Sequence, residues 1–369
     1  MTRFFLIAMA VYLVPHVALF IRFYPLLTPG LRLPVLLSLL SLMSSLFAGY
    51  ALRRHGLWVA RPLIEISFFW MTFLFWSFCA GLLMDAWNGL IRLLPAASRP
   101  AALAPMTQLR VLVGMTILLF SWSAGEARRL RVHPVDLPGL TAPRPVKIAY
   151  FTDLHLSPYG NKAAAERTLF FLKALEPDLI LCGGDLLDAP ASEIRKELEG
   201  LSALKPPLGK FAVLGNHEYY AGLSNSLAAY ELAGFTLLRA ERVELLPGLT
   251  LGGVDDLHGK AAGDICFYDE DKALPPAGTP GTVILLKHKP VMSTLARERA
   301  TLQLSGHTHG GQLFPFHFLV RYLFKQGFGL YEEGRGHWLY VSRGCGTWGP
   351  PLRLLAPPEI TVITLPAGE

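Results

Sequence analysis

Five short segments of this chain combine aspartate, asparagine and histidine at spacings that suit the binding of divalent metal ions. They are Thr152-Asp-Leu-His155, Gly183-Gly-Asp-Leu-Leu-Asp188, Gly215-Asn-His-Glu218, Lys287-His-Lys-Pro290 and Gly306-His-Thr-His309. Five of the eleven histidines fall in four of these segments. Oxygen and nitrogen donors without thiolate suit Mn, Fe or Zn and select little among them. The residue types therefore predict a site for divalent cations.

The carboxylate of Asp185 is the centre of this predicted site. The apolar run Leu179–Cys182 is typical of a buried strand, and the two glycines after it make a tight turn. This turn presents the next carboxylate beyond the carboxyl end of the strand, where α/β folds place their chemistry. Because a carboxylate has two oxygens, Asp185 can bridge two metal ions about 3.5–4 Å apart.

Each of the five segments follows an apolar strand directly, and strand ends at one sheet edge converge in space. The candidate residues are Asp153, His155, Asp185, Asn216, His217, His288, His307 and His309. A spacing of two residues, as in His307 and His309, lets two donors from one extended turn reach a shared centre. The adjacent pair Asn216 and His217 points in two directions, so Asn216 can bind a metal while His217 faces the substrate.

Strands alternate with helices from Val146 onward, and the remainder is rich in strands, which predicts an α/β sandwich with mixed sheets. The predicted helices are Ala163–Leu175 and Ser192–Leu204, and the strands are Val146–Phe151, Leu179–Cys182, Phe211–Leu214, Thr282–Leu286, Leu302–Ser305, Trp338–Ser342 and Ile360–Leu365. About 225 residues suffice for one core.

Taken in order, D-x-H, G-D-x-x-D, G-N-H-E, a later single histidine and G-H-x-H resemble the motifs of the calcineurin-like metallophosphoesterase superfamily. Three segments resemble a branch of bacterial membrane-associated phosphodiesterases that includes some UDP-2,3-diacylglucosamine hydrolases. These segments are Gly215–Tyr220, Ser305–Gln312 and Val341–Pro351. The resemblance covers about residues 146–365 and implies an α/β/β/α sandwich.

The resemblance also implies two metal ions and a hydrolytic reaction. One ion would be held by Asp153, His155, Asp185 and His309, and the other by Asp185, Asn216, His288 and His307. A metal-bridging hydroxide would attack a phosphodiester or pyrophosphate bond, and His217 would protonate the leaving oxygen.

The amino-terminal part of the chain is predicted to lie in a membrane. The mean hydropathy of +0.37 is too high for a purely soluble protein. Four apolar segments, about Phe4–Phe20, Leu33–Leu52, Leu63–Met84 and Val111–Ala124, predict four transmembrane helices in residues 1–125. A signal peptide is the competing account of the first segment, but further spans follow it and a small-residue cleavage site does not.

Arginines in the short loops predict the orientation of these helices. Seven lie on the side of both termini and five on the other, which places the hydrolytic domain, residues 146–369, on the cytoplasmic face of a cell (inner) membrane. Residues 126–145, basic and rich in proline, are predicted to be a linker on the membrane surface. The domain from Val146 carries 21 Lys and Arg against 24 Asp and Glu, which argues against a nucleic-acid partner.

Several residues have two interpretations on sequence alone. Asp188 either orients a ligand histidine or caps the following helix, and Arg343 either holds a phosphate or forms a structural ion pair. His16 and Glu65 lie inside predicted spans, where a functional role and a helix–helix hydrogen bond compete. A further segment, Asp255-Asp-Leu-His258, is interpreted as a solvated turn, with a polar loop near the site as the alternative. The four scattered cysteines are expected to be buried free thiols.

The aromatic segment Phe314–Phe324 suggests a substrate with an acyl tail, but an amphipathic helix on the core or on the bilayer surface fits as well. The predicted partners are therefore the lipid bilayer and a phosphate ester that is either soluble or lipid-linked. Two other functions compete with catalysis: a non-catalytic scaffold, and a membrane sensor or transporter with a regulatory hydrolase.

Overall fold

The computed structural model describes residues 2–158, 160–261, 267–334 and 336–368. It divides into two compact units, one that ends at Trp122 and one from Ser123 to Glu369. Of the cysteines, Cys79, Cys182 and Cys345 are free thiols, whereas Cys266 lies outside the described residues.

The first unit is helical. Its helices are α1 (Thr2–Phe23), α2 (Pro29–Arg54), α3 (Ala60–Leu90) and the greater part of α4 (Pro105–Ala127). Three stretches are long and apolar enough to cross a bilayer: Pro29–Arg53, Ala60–Leu93 and Pro105–Ala127. The apolar stretch Tyr12–Leu26, in and after α1, is shorter. The structure thus has the four predicted helices, and three of them contain a stretch with the length and composition of a span among the residues whose side chains are described.

The second unit is an α/β domain with two six-stranded sheets. The first has the order β1 (Arg131–Val135), β12 (Glu359–Leu365), β2 (Val146–Phe151), β3 (Leu179–Cys182), β4 (Lys210–Ala212) and β5 (Thr236–Leu237). The second has the order β10 (Gly329–Gly334), β11 (His337–Val341), β9 (Leu302–Ser305), β8 (Thr282–Lys287), β7 (Leu249–Val254) and β6 (Glu241–Leu246). Both sheets mix parallel and antiparallel pairs, as predicted.

Eight α-helices of this unit lie among the described residues. They are α5 (Lys162–Leu175), α6 (Arg195–Ser202), α7 (Asn216–Tyr220), α8 (Leu223–Leu232), α9 (His258–Ala261), α10 (Glu270–Ala273), α11 (Thr294–Arg299) and α12 (Phe316–Leu323).

Strand alternation explains the layers. In β2, Ile148 and Tyr150 face the second sheet in a core that also contains Leu251 and Ile284. The intervening Ala149 and Phe151 lie in a second core against α5, α6 and α8. A third core joins β8 and β11 to α10 and α11. Because each buried sheet face needs a covering layer, the result is the predicted α/β/β/α sandwich.

The predicted surface linker is wrong for part of residues 126–145. Residues Arg131–Val135 form β1, which pairs in parallel with Glu359–Ile363 of β12 and extends the first sheet at its edge. The prolines concealed this strand in the sequence. Proline has no N–H to donate, so it is tolerated in an edge strand, which lacks a partner strand on one side. Pro134 lies within this edge strand.

Candidate metal centre

The candidate residues lie just beyond the carboxyl ends of five strands that belong to both sheets. Asp153 follows β2, Asp185 follows β3 and Asn216 follows β4, whereas His288 follows β8 and His307 follows β9. Because β2, β3 and β4 are parallel neighbours and β8 and β9 are too, these ends share one edge of the sandwich. The two sheets therefore contribute to one site.

Three groups of ligand atoms cluster closely enough to hold a metal ion. They are Asp153, His155 and His309; His155, Asp185 and His217; and Asp185, His288 and His307, with the atoms of each group within 4.8 Å of one another. Asp185 belongs to two groups, as a bridging carboxylate should. Which residues bind metal stays a prediction, but these groups contain seven of the eight candidate residues, and the N–H of His217, next to Asn216, donates to Asp185 Oδ1.

The protonation of His155 directs a lone pair into the first group. Nδ1 of His155 lies 3.0 Å from Oδ1 of Asp188, which only accepts hydrogen bonds when ionised, so Nδ1 carries the proton. In the neutral ring Nε2 then has a lone pair, and it lies 3.0 Å from Nε2 of His309. Nε2 of His309 also lies 3.4 Å from Asp153 Oδ1, so two ring nitrogens and a carboxylate oxygen form one cluster that is close enough to hold a cation.

His288, in the group with Asp185 and His307, also donates through Nδ1. Its Nδ1 lies 2.8 Å from the carbonyl oxygen of Gly183 and therefore donates to it. Its Nε2 lies 3.1 Å from Asp185 Oδ2 without hydrogen-bond geometry and, among the described residues, has no hydrogen-bond partner. Oδ1 of Asn216 is also buried and has no partner in the described part of the chain. A buried acceptor without a partner, such as Oδ1 of Asn216, is costly unless a cation binds it.

The electrostatics of the cluster also favour positive charge. Burial opposes protonation of His155 and His288, but the facing carboxylates outweigh it and raise the pKa of His155 to about 9 and that of His288 to about 10. Burial and the charge of His288 lower the pKa of His307 to about 3. Without a cation, protons on two histidines balance the carboxylates. A divalent metal ion would replace those protons.

The backbone at the site is strained. Five of the eight candidate residues have a positive φ, between 49° and 71°: Asp153, His155, Asp185, His307 and His309. Residues other than glycine rarely occupy this left-handed region, and each costs about 1–3 kcal/mol. Such strain is typical of functional sites. No pattern in the sequence predicted it.

Two glycines are required because the carboxylates lie against the backbone. A Cβ on Gly215 would lie 2.1 Å from Oδ1 of Asp185, and a Cβ on Gly306 would lie 2.2 Å from Oδ2 of Asp153. The glycines of the third and fifth segments thus admit the carboxylates of the first two.

Asp188 has the orienting role that the sequence left open. The same oxygen, Oδ1, accepts from Nδ1 of His155 at 3.0 Å and from Nδ1 of His217 at 2.7 Å. Burial disfavours the charge of Asp188, but the two histidines outweigh it and lower its pKa. One carboxylate thereby orients both a candidate metal ligand and the candidate acid.

Glu218 is a positioning residue that was not among the predicted site residues, although it belongs to the third segment. Its buried carboxylate accepts from the backbone N–H groups of Asp185, Leu186 and Gly215 at 2.7–3.0 Å, and from the hydroxyl of Tyr230 at 3.2 Å. It therefore joins the loop of Asp185 to the loop of Asn216. Burial and the neighbouring Asp185 raise the pKa of Glu218 to about 7.

The interpretation of residues 255–258 as a solvated turn is wrong. Asp255 and Asp256 are 1% and 3% exposed. Oδ2 of Asp255 accepts from Arg239 Nε at 2.8 Å, and Oδ1 of Asp256 accepts from Lys289 Nζ at 3.2 Å and lies 2.8 Å from Nδ1 of His258. Two consecutive aspartates resemble a surface turn in sequence, and only the distant cations that reach them make their burial possible.

The other residues that had two interpretations on sequence alone have structural partners. Arg343 donates through Nε to Oε2 of the buried Glu359 at 2.7 Å, so it forms an ion pair. In the first unit, His16 bonds to Tyr12 O and to Nε1 of Trp70, and Glu65 pairs with Arg61 one helical turn away.

Comparison with known proteins finds metallophosphoesterases. The family model of calcineurin-like phosphoesterases matches residues 146–311. An uncharacterized metallophosphoesterase of Aquifex aeolicus is 40% identical over 254 residues, which are 68% of this chain and 97% of the relative. The transmembrane protein with metallophosphoesterase domain of Danio rerio is 32% identical over 64% of this chain and 57% of its own length.

Among solved structures, the calcineurin-like phosphoesterase YfkN from Bacillus subtilis aligns with a TM-score of 0.35 at 15% identity, over 55% of this chain and 82% of that one. On the strength of its relatives, the chain belongs to the calcineurin-like phosphoesterase family, which is metal-dependent.

Proposed function

We propose that this chain is a membrane-anchored phosphoesterase that uses two divalent metal ions to hydrolyse a phosphodiester or pyrophosphate bond. The observation that carries the proposal is the pair of ligand groups that share Asp185. Asp153, His155, Asp185 and His309 would hold one ion, and Asp185, Asn216, His288 and His307 the other. The donors suit Mn, Fe or Zn. When bound, such ions activate water and neutralise the charge of the phosphate.

His217 is the proposed general acid. Its Nδ1 donates to Asp188 Oδ1 at 2.7 Å, which leaves Nε2 as the atom that transfers a proton to the leaving oxygen. The backbone N–H of His217 donates to Asp185 Oδ1 at 2.9 Å, so the acid is tied to the bridging carboxylate. Its side chain is 16% exposed, which leaves it open to a substrate.

The proposed setting is the cytoplasmic face of a cell (inner) membrane, and the proposed substrate is lipid-linked. The apolar helices indicate membrane association. Exposed aromatic side chains near the site, among them Trp348 with its ring 6.2 Å from that of His217, suit a substrate with an apolar part. Comparing kcat/KM for a lipid-linked and a water-soluble diester tests this, since equal values would exclude acyl recognition.

The first experiment is hydrolysis of bis(p-nitrophenyl) phosphate by the full chain in nanodiscs, after chelation and with Mn added back. We expect activity that depends on the metal and is absent from Asp185→Asn. No activity of the folded wild-type chain with Mn, Fe or Zn would contradict the proposal and favour a scaffold role.

A further inference from the structure

Helix α12 presents an unusually apolar surface to the outside. Phe318, Leu319, Tyr322 and Leu323 are 63%, 47%, 85% and 63% exposed, and we call these four side chains the α12 surface. Every residue of α12, all of them described, is at least partly exposed. The half-buried His317 and Val320 lie against Gly311 and Gly327, so the helix rests on the domain and exposes the four side chains of the α12 surface. Exposed apolar side chains that adjoin in this way mark an interaction site.

The charged residues within α12 and directly after it are basic. The sequence contains no Asp or Glu between Glu298 and Glu332. Arg321 within the helix and Lys325 just after it are both exposed. An apolar helical surface with basic residues beside it complements a bilayer with anionic head groups, because apolar side chains enter the interface while cations meet the phosphates.

Further exposed apolar side chains lie near the start of α12. Trp348 and Leu355 are 61% and 56% exposed. They adjoin the start of α12, because Gln312 exchanges hydrogen bonds with the backbone of Trp348 and the N–H of Phe314 donates to Leu354 O. Tryptophan and tyrosine are the residues most enriched at membrane–water interfaces.

The helix is also attached to the candidate metal centre. The ring of Phe324, directly after α12, lies 5.5 Å from the ring of His307. Oγ1 of Thr308 donates to Gly327 O at 2.6 Å, and Gly311 lies against the backbone of His317. A surface on which α12 rests would therefore be close to the opening of the site.

We propose that the α12 surface docks on an anionic bilayer. The spans of the same chain keep the domain near a bilayer, so docking needs no second tether, and the basic flank selects anionic lipid. This surface is distinct from the spans and from the catalytic residues. The inference goes beyond the proposed function and does not depend on catalysis.

The test uses the full chain in nanodiscs that contain phosphatidylglycerol. A fluorophore is attached at Tyr322→Cys and, as a matched control, at Phe170→Cys, an exposed aromatic position of α5. The unsubstituted chain, labelled in the same way, measures the contribution of the native cysteines. Quenching is then compared for nitroxide-labelled lipid and for aqueous iodide.

We expect lipid nitroxide to quench the label at 322 several-fold more than the label at 170, and iodide to show the opposite order. The double variant Arg321→Glu, Lys325→Glu should remove most of this difference, as should phosphatidylcholine alone. Equal quenching at the two positions would overturn the proposal. A label at 322 that neither quencher reaches would also overturn it and point to a protein partner. The test measures fluorescence quenching and not hydrolysis. It therefore stays valid even if the chain proves not to be a phosphoesterase.

Discussion

Two buried histidines of this chain, His288 beyond β8 and His16 in α1, have opposite surroundings. His16 is 4% exposed, and both of its ring nitrogens make hydrogen bonds, one of them to Trp70 of α3. His288 is 0% exposed, and in the described part of the chain its Nε2 has no hydrogen-bond partner. A satisfied buried histidine stabilises a packing arrangement, whereas an unsatisfied one among carboxylates indicates a ligand that completes it.

The metal centre is accordingly costly by itself. An unsatisfied buried polar group costs about 1–3 kcal/mol, and each left-handed residue costs about as much. Stability that the fold loses here is regained when the proposed metal ions bind. The apolar helices of the first unit carry no comparable cost at His16 and Glu65, which argues against a sensor or transporter function that depends on these two residues.

The largest expected effect is that of Asp185→Asn. We expect a loss of turnover greater than the 10²–10⁴-fold typical of a general acid, because both ions depend on this carboxylate. A metal at 100 times its Kd should stabilise the wild type by about 2.7 kcal/mol, and the variant by much less. Thermal unfolding with and without Mn measures this. Equal stabilisation of both proteins would remove Asp185 from the metal site.

His217→Ala should lower kcat by about 10²–10⁴-fold on a diester with a poor leaving group. The effect should shrink for p-nitrophenolate, which departs without a proton. Binding of Mn, followed by calorimetry, should stay near the wild-type value because His217 is proposed to act on substrate. Full activity on an unactivated diester would exclude His217 as the acid.

Asp188→Asn should cost about 10–100-fold in metal affinity or activity, the usual effect of a group that orients a metal ligand. Because Oδ1 of Asp188 bonds to two histidines, the variant should weaken Mn binding and proton transfer together. His217→Ala serves as the control, since it should weaken proton transfer but leave Mn binding unchanged. A variant with normal metal affinity would show that Asp188 acts on His217 alone.

Glu218→Gln should destabilise the fold by about 1–3 kcal/mol. The amide nitrogen of glutamine cannot accept from the backbone N–H groups that now meet the carboxylate, so at least one buried donor loses its partner. Urea unfolding measures the change. A stability equal to that of the wild type would mean that these loops hold their positions without the carboxylate.

The smallest effect is expected for His16→Phe, which removes the hydrogen bond from Trp70. Such bonds between membrane helices are worth about 0.6 kcal/mol on average. Trp70→Phe and the double variant complete a cycle, read by unfolding in mixed micelles. Hydrolysis should be unchanged in both single variants and in the double variant. A large loss of hydrolysis would instead indicate that the apolar helices have a functional role.

The strands of the sandwich and the segments after them were predictable because their signals are local. Apolar runs bounded by glycine, as at Leu179–Cys182 and Leu302–Ser305, coincide with the observed strands. The edge strand β1 was missed because its prolines are typical of a loop, and only pairing with β12, more than 220 residues away, makes it a strand.

The sequence by itself determined the family, the sandwich and the residues that converge on Asp185, because motifs directly after strands have only one sheet edge at which to meet. The tertiary structure alone decided the shared hydrogen bonds of Asp188, the burial of Asp255 and Asp256, the strained backbone of the centre and the exposure of α12. Each of these depends on groups far apart in the chain. A sequence shows which residue types are present and how they are spaced along the chain. It does not show which distant groups meet in the folded protein.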